Sequence, residues 1–497
     1  MFISYDKKPN GLYANLAISV RNGQKVIKEY QHLGKVLDKD NGIYQSRERG
    51  VFTYDLESNS FGKAPEDFVP PLNNSRKEKL IVDFGDIYFL DKFINNSVLC
   101  ESIDSLGYGN PDTLKSMISY YCLASSANCY AENWWSGSYA HILYPKANLT
   151  SQRISDFLSS IGDESRLRIF FDKYIKLLDA NGINTGNILI DSSGLHNSIR
   201  FPLTAIRNHN GEISDEVRLI YAVQQNTGLP IYFRYCPGNV IDATTLIRCL
   251  AELKEQGVNT KFAILDAGYY TDANIKELFE SKISFITRMP ENRSLYKDLA
   301  IKYGPILYNR DNAIDYPGRI IFLKTVKCKL HGYNAYAYIG FDYDRNYKES
   351  KVSFFKSMDK QRNAKVAFDA MQNGGLFVLF SSRRLARNKV MPLYYQRQNI
   401  EQIFDIGKNY AGMLPLRVHN EDTFRGHLLL TFIATVVMRM LQNQLHETEI
   451  TPLSLFMILR NQKCKIYESQ VITCEPVKKV NDCYKIFGYS CPITIPI

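Results

Sequence analysis

Tryptophan is nearly absent from this 497-residue chain, occurring only as the adjacent pair Trp134 and Trp135. The 33 tyrosines supply ring surfaces elsewhere that can stack on a flat partner. The ten cysteines include no Cys-x-x-Cys pair, and the nearest grouping, Cys464, Cys474, Cys483 and Cys491, is too widely spaced for an ordinary zinc ribbon. They read as reduced thiols of a cytoplasmic protein. The start, MFISYDKKPNG, lacks the apolar core of a signal peptide. The longest apolar run, Leu428 to Met438, stops at Arg439 and is too short to span a bilayer, so a buried helix is expected there. Neither an internal repeat nor a low-complexity tract is present. What remains is ordinary globular material, 45% hydrophobic and 23% charged, long enough for two to four domains. Lys plus Arg exceeds Asp plus Glu by 61 to 51, which favours a polyanionic partner.

Residues 1–62 read as a β-rich module, with Leu12 to Val20 and Val26 to Tyr30 joined across an Asn22-Gly23 turn. Lys63 to Pro71 resembles a connector. From 76 to 183 the pattern is helical. Asn110-Pro111 is a strong helix start, and Thr150 is expected to cap a helix carrying Ile154, Phe157 and Leu158. That helix is a candidate for reading DNA. Further on, Val217 to Gln224 and Pro230 to Tyr235 suit an antiparallel pair across Asn226-Thr-Gly228.

Four polar residues in YYQRQNIEQIFDIGK carry more chemistry. On a continuous helix Tyr394, Arg397, Glu401 and Lys408 fall within an arc of roughly 60°. Ile400, Ile403 and Phe404 would anchor the adjoining face. A carboxylate between two cations and a phenol suits a metal ion and phosphates, although a solvated helix face has the same composition. Upstream, two strand-like runs each end in aspartate, Asn187-Ile-Leu-Ile-Asp191 and Phe262-Ala-Ile-Leu-Asp266. Acids at strand ends lie where α/β sheets bind ligands. They are also common helix caps, and Asp83 after Leu80-Ile-Val looks alike.

Asp191, Asp266 and Glu401, with Tyr-x2-Arg-x3-Glu-x6-Lys complete over 394–408, resemble the DDE transposases of bacterial insertion sequences with the Tyr-Arg-Glu-Lys signature. Pro237-Gly-Asn239, Asp266-x-Gly-Tyr269 and Phe424-Arg-Gly-His427 extend the resemblance over about 185–445, and Asp191-Ser-Ser-Gly departs from it by serines where many relatives have threonine. The resemblance implies an α/β ribonuclease-H-like catalytic core over 184–288 and 391–445. A β-rich insertion over 289–390 would interrupt it, with a mixed β then α amino-terminal region before it and a tail over 446–497. It also implies two magnesium ions (manganese as a substitute) on Asp191, Asp266 and Glu401, with Asp191 bridging both. Tyr394, Arg397 and Lys408 would contact DNA, and Arg288, Arg383, Arg384, Arg387 and Lys389 are further candidates along its path. The implied partners are double-stranded transposon ends and target, held by a homodimer that is nucleoid-associated when bound. Relatives often hold a flipped base on an aromatic of the insertion; with no tryptophan there, Tyr333 or Tyr336 would have to serve. A DNA-binding protein without cleavage and a nuclease without strand transfer stay open as alternatives. A glycosidase fits poorly, because Arg397 and Lys408 would meet no anion.

Overall fold

The structure, a computed structural model, describes residues 1–8, 11–22, 25–65, 68, 80–197, 201, 203–209, 212–359 and 374–497. The chain forms two compact units. One comprises residues 1–81, 465–472 and 494–497; the other comprises 82–464 and 473–493.

In the first unit β1 (Phe2–Lys8), β2 (Gly11–Asn22), β3 (Lys25–Asp38), β4 (Ile43–Ser46), β5 (Gly50–Asp55) and β6 (Ser60–Lys63) form an antiparallel meander in chain order. Alternation along β2 sends Ala14 and Leu16 to a core completed by Leu33, Tyr44, Phe52 and Tyr54. The register slips by one residue beside Ala14, and Gly34 sits there at φ 115°. A Cβ at Gly34 would lie 2.2 Å from the Gln45 carbonyl oxygen, so only glycine fits. Gly23 of the expected β2–β3 turn, and most of the 63–71 connector, lie outside the described residues.

A short strand, β7 (Leu80–Asp83), begins at the end of the first unit's 1–81 segment, and the second unit continues with helices α1 (Gly85–Asn95), α2 (Leu99–Asp104), α3 (Pro111–Leu123), α4 (Ala131–Gly137), α5 (Ala140–Leu143), α6 (Ser151–Ile161) and α7 (Glu164–Ala180). Asn110 caps α3 by accepting the Thr113 amide at 3.0 Å, with Pro111 in the first turn. Thr150 does not cap α6. Its hydroxyl donates to Asn148 Oδ1 at 3.3 Å, which leaves the helix amides without it. Ile154, Phe157, Leu158 and Ile161 are all buried. The backbone of α6 runs hard against the long helix Glu421–Leu445. A Cβ at Gly426 would lie 2.0 Å from the Leu158 carbonyl, and one at Gly162 would lie 1.9 Å from that of Asp422. The long helix is apolar and long enough to cross a membrane, yet 89% of its most hydrophobic window is buried within the unit.

The site rests on a sheet built from β8 (Asn187–His196), β9 (Ala205–His209), β10 (Glu212–Gln224), β11 (Pro230–Pro237), β12 (Phe262–Leu265) and β13 (Ser284–Arg288), with α8 (Leu246–Glu255) and α9 (Asp272–Glu280) between strands. Its order is β11-β10-β8-β12-β13; β10 is antiparallel to both neighbours, while β8, β12 and β13 run parallel. After α10 (Ser294–Tyr303) come β14 (Ala313–Tyr316), β15 (Arg319–Leu330), β16 (Tyr333–Asp342), α11 (Tyr343–Asp359) and β17 (Leu376–Ser381). These later strands do not form a sheet of their own. β17 pairs with β13 on one side and β16 on the other, so among the described residues ten strands make one continuous sheet. His331 and Gly332, at φ 46° and 88°, turn β15 into β16 as a two-residue hairpin.

The chain then forms α12 (Arg387–Tyr395), α13 (Gln398–Asn409), α14 (Glu421–Leu445), α15 (Pro452–Arg460) and α16 (Lys478–Ile486). The single helix expected over 394–408 is thus two. Between them the bonding tightens to i→i−3, from the Arg397 amide to Tyr394 O at 3.1 Å and from the Ile400 amide to Arg397 O at 3.1 Å. Gln396, inside this turn, is held by the Gln225 amide at 2.8 Å. Ile400, Ile403 and Phe404 are buried, and Phe404 packs on Tyr221 with ring centroids 5.3 Å apart.

Candidate active site

Strand register brings the two aspartates together. β8 and β12 pair in parallel from Asn187/Phe262 to Ile190/Leu265, so Asp191 and Asp266 are the next residues on neighbouring strands. Asp191 does not end its strand, since β8 continues to His196 along β10; it ends the parallel pairing. Asp266 precedes a short helical turn without capping it, which leaves its carboxylate available to the site. Asp83 has another fate, as an ion-pair partner of Lys463.

Glu401 reaches the same place from the first turn of α13, and Arg397 lies at the centre. Arg397 Nη1 is 3.1 Å from Asp191 Oδ2 and 3.2 Å from Asp266 Oδ2, while Nη2 donates to Glu401 Oε1 at 2.8 Å. Three carboxylates from three elements therefore converge on one guanidinium. Burial raises the Asp191 carboxyl to about 7; Arg397 opposes that rise, and Asp266 and Asp242 add to it. Burial disfavours the Arg397 charge, but Asp266, Asp191 and Glu401 outweigh it and hold the guanidinium pKa above its usual value.

Tyr394, Arg397, Glu401 and Asp266 line one cavity of about 190 Å³, together with Arg288, Arg345 and Tyr395. Burial, then the Asp266 charge, raises the Tyr394 phenol, so it stays a proton donor at neutral pH. Lys408 lies elsewhere. Its ammonium donates to Ser193 Oγ and to the Gly194 carbonyl, each at 2.8 Å, and burial lowers its pKa. It stands two turns beyond Glu401 on α13, about 10 Å along the helix axis. Of the further cations, Arg288 pairs with Glu291 at 3.1 Å, Arg383 covers the Phe262 ring at 4.4 Å, and Arg387 donates to the Asp311 carbonyl at 2.6 Å. Tyr333 is stacked on Phe279, with centroids 4.7 Å apart. His427 is a satisfied core residue between Tyr121 OH at 2.8 Å and the Met413 carbonyl at 3.1 Å.

Sequence reasoning missed the layer beneath the aspartates. Asp242 Oδ1 accepts Ser192 Oγ at 2.5 Å and Arg218 Nη2 at 2.6 Å, so it holds the residue next to Asp191. Arg218 also pairs with buried Glu216 at 3.3 Å. The Asn274 side-chain amide donates to Ala243 O at 2.7 Å and Tyr269 O at 2.9 Å, clipping the Asp242 turn to the turn after Asp266. One signal was visible: Glu216 and Arg218 interrupt an apolar strand at i and i+2, a spacing that puts both on one face.

Among the described residues no group of three His, Cys, Asp or Glu side chains stands ready around a metal ion. The reason is geometric, because Arg397 already occupies the space between the three acids. The donor set itself, all carboxylate oxygen, fits a hard divalent cation.

Comparison with known proteins bears on this arrangement. Residues 190–437 match the family model described as a transposase DDE domain. A piggyBac transposase, solved by cryo-electron microscopy in a synaptic complex with hairpin DNA, aligns with a TM-score of 0.38 and 11% identity over 77% of this chain and 80% of its own. No curated protein matches. The matched family segment spans the strands carrying Asp191 and Asp266 and the helix carrying Glu401, and the chain belongs to the DDE transposases.

Proposed function

We propose that the chain binds the ends of an insertion sequence and catalyses metal-dependent DNA cleavage and strand transfer through Asp191, Asp266 and Glu401. The observation that carries this reading is the convergence of those three acids on the Arg397 cation, at 2.8–3.2 Å. The β11-β10-β8-β12-β13 order and directions support a ribonuclease-H-like core. Asp191, Asp266 and Glu401 would hold two Mg2+ or Mn2+ ions, which when bound supply charge stabilisation and an activated oxygen for displacement at phosphorus. The protein's own groups do the positioning. Arg397 leaves the acids for a phosphate, which its planar fork grips through two donors. Tyr394, still protonated, donates to a neighbouring phosphate oxygen. Lys408 adds positive charge behind β8 and, through Ser193 and Gly194, fixes the strand bearing Asp191. Asp242 and Asn274 hold the two aspartate turns together. Two chains acting on two ends would make excision concerted.

The test is a duplex carrying the element's end, incubated with the purified chain and Mg2+ and read on a denaturing gel. Nicks at the end together with products joined to a target duplex are expected. Nicks without joined products would reduce the reading to a nuclease, and end binding without nicks would reduce it to a DNA-binding protein.

A further inference from the structure

The register of the amino-terminal sheet aligns three rows of side chains on the face opposite its core. They are Phe2–Ala17–Tyr30, Ser4–Asn15–His32 and Asp6–Tyr13–Lys35, each running across β1, β2 and β3. Lys8 stands at the same edge, its ammonium 5.0 Å from the Tyr13 ring centroid, and the Lys28 ammonium lies 5.4 Å from that of Phe2. Tyr13 and His32 are stacked, 6.2 Å apart and 11° from parallel. Tyr30 is 62% exposed and Phe2 44%. Such exposure is unusual for large rings on one contiguous face.

The polar groups between the rings are ordered. Asn15 Nδ2 donates to Asp6 at 2.8 Å, which turns Asn15 Oδ1 towards His32 Nδ1 at 2.5 Å. That bond requires the His32 proton on Nδ1, so ring orientation and tautomer are set together. Asp6 is the single acid in these rows and is engaged by Asn15; Lys8 and Lys28 bring positive charge beside the rings, and Lys35 adds a third cation to the row of Tyr13.

We propose that this face binds single-stranded DNA, with bases stacked on Tyr30 and on the Tyr13–His32 pair and phosphates met by Lys8, Lys28 and Lys35. Rings on a sheet surface offer π-faces to unpaired bases, and cations beside them track the backbone. A duplex keeps its bases stacked inside and would leave the rings unused. An acidic peptide would match the lysines but has no planar group for the rings. Successive rows lie about 6.7 Å apart along each strand, room for one base per row. The choice of DNA over another nucleic acid rests on the transposase reading, in which a nick leaves a strand terminus that can unpair from its complement.

The test uses the full chain and fluorescein-labelled dT20, followed by anisotropy without divalent ions, beside a matching duplex and an abasic strand of equal charge. The wild type is expected to bind dT20 more tightly than either. Tyr30→Ala should weaken dT20 about tenfold, within the usual range for one stacking ring, and reduce the preference over the abasic strand. Lys28→Glu should weaken dT20 and the abasic strand alike and flatten the salt dependence. Tyr30 is largely exposed, so its variant should melt as wild type does. Unchanged dT20 affinity in a folded Tyr30→Ala/Lys28→Glu double variant would overturn the proposal, as would equal wild-type binding of dT20 and the abasic strand. If the wild type binds dT20 in this way but never nicks duplex ends, this surface stands and the transposase mechanism falls.

Discussion

Arg397→Gln should raise the affinity of the DNA-free protein for divalent cations. In the wild type the guanidinium lies 3.1 and 3.2 Å from Asp191 and Asp266 and 2.8 Å from Glu401, the same oxygens an entering ion would need. A unit-charge pair about 4 Å apart near a protein surface is worth about 4 kcal/mol before desolvation. The Glu401 pairing is weaker, because that side chain is 55% exposed and water screens it. Arg397 can also swing partly aside, so only a fraction of the two aspartate pairings opposes the ion. About 1.4–2.8 kcal/mol is a reasonable share, corresponding to ten- to a hundredfold in affinity. The assay is a Mn2+ titration read by the electron paramagnetic resonance signal of the free ion, with thermal melting alongside. The same variant should cleave poorly, since the phosphate fork is gone. Mn2+ affinity equal to or below wild type in a folded variant would show that Arg397 does not compete for this site.

Three further outcomes follow from the same geometry. The folded pKa of Asp191, about 7, lies above the ordinary 3.8, so this group's stabilising contribution is present at low pH and is lost as pH rises through about 7. Asp191→Asn should therefore gain on wild type between about pH 4 and 7, by on the order of 2–4 kcal/mol, and then level off, as measured by urea melts without divalent ions; a gap independent of pH would refute the buried carboxyl. Asp242→Asn removes the charge paired with Arg218 and loosens Ser192, so cleavage should fall at least about tenfold with end binding retained and stability reduced by about 3 kcal/mol; unchanged cleavage would mean that this layer does not position Asp191. Gly426→Ala places a Cβ 2.0 Å from the Leu158 carbonyl and should destabilise by about 1–3 kcal/mol through forced separation of α6 and α14, checked by thermal melting.

The sequence made some of this architecture legible and concealed the rest for identifiable reasons. The β10–β11 pair and the buried face of α13 follow from local patterning, which periodicity reports directly. The break at 396–397 does not. The residues there tolerate a helix, and the tight turn involves a tertiary bond from Gln225. Likewise, β pattern in 313–342 identifies strands but not partners, and only the pairing of β17 with both β13 and β16 joins them to the core sheet. Among the candidate site residues, Asp191, Asp266, Arg397 and Glu401 meet within ion-pair distance, whereas Lys408 is drawn off to Ser193 and Gly194. The Asp242–Arg218–Glu216 network was hidden because charges in a strand are usually solvated, and their burial depends on the elements packed above them.

The central claim is that Asp191, Asp266 and Glu401 form one catalytic unit, and isosteric neutralisation tests it most directly. Asp191→Asn, Asp266→Asn and Glu401→Gln would each be compared with wild type for nicking of the end duplex in Mg2+, with a gel shift on the same DNA. Nicking should be lost in all three while end binding stays nearly intact, because affinity comes chiefly from cations meeting phosphates. Normal nicking by any folded variant, Glu401→Gln above all, would contradict the account.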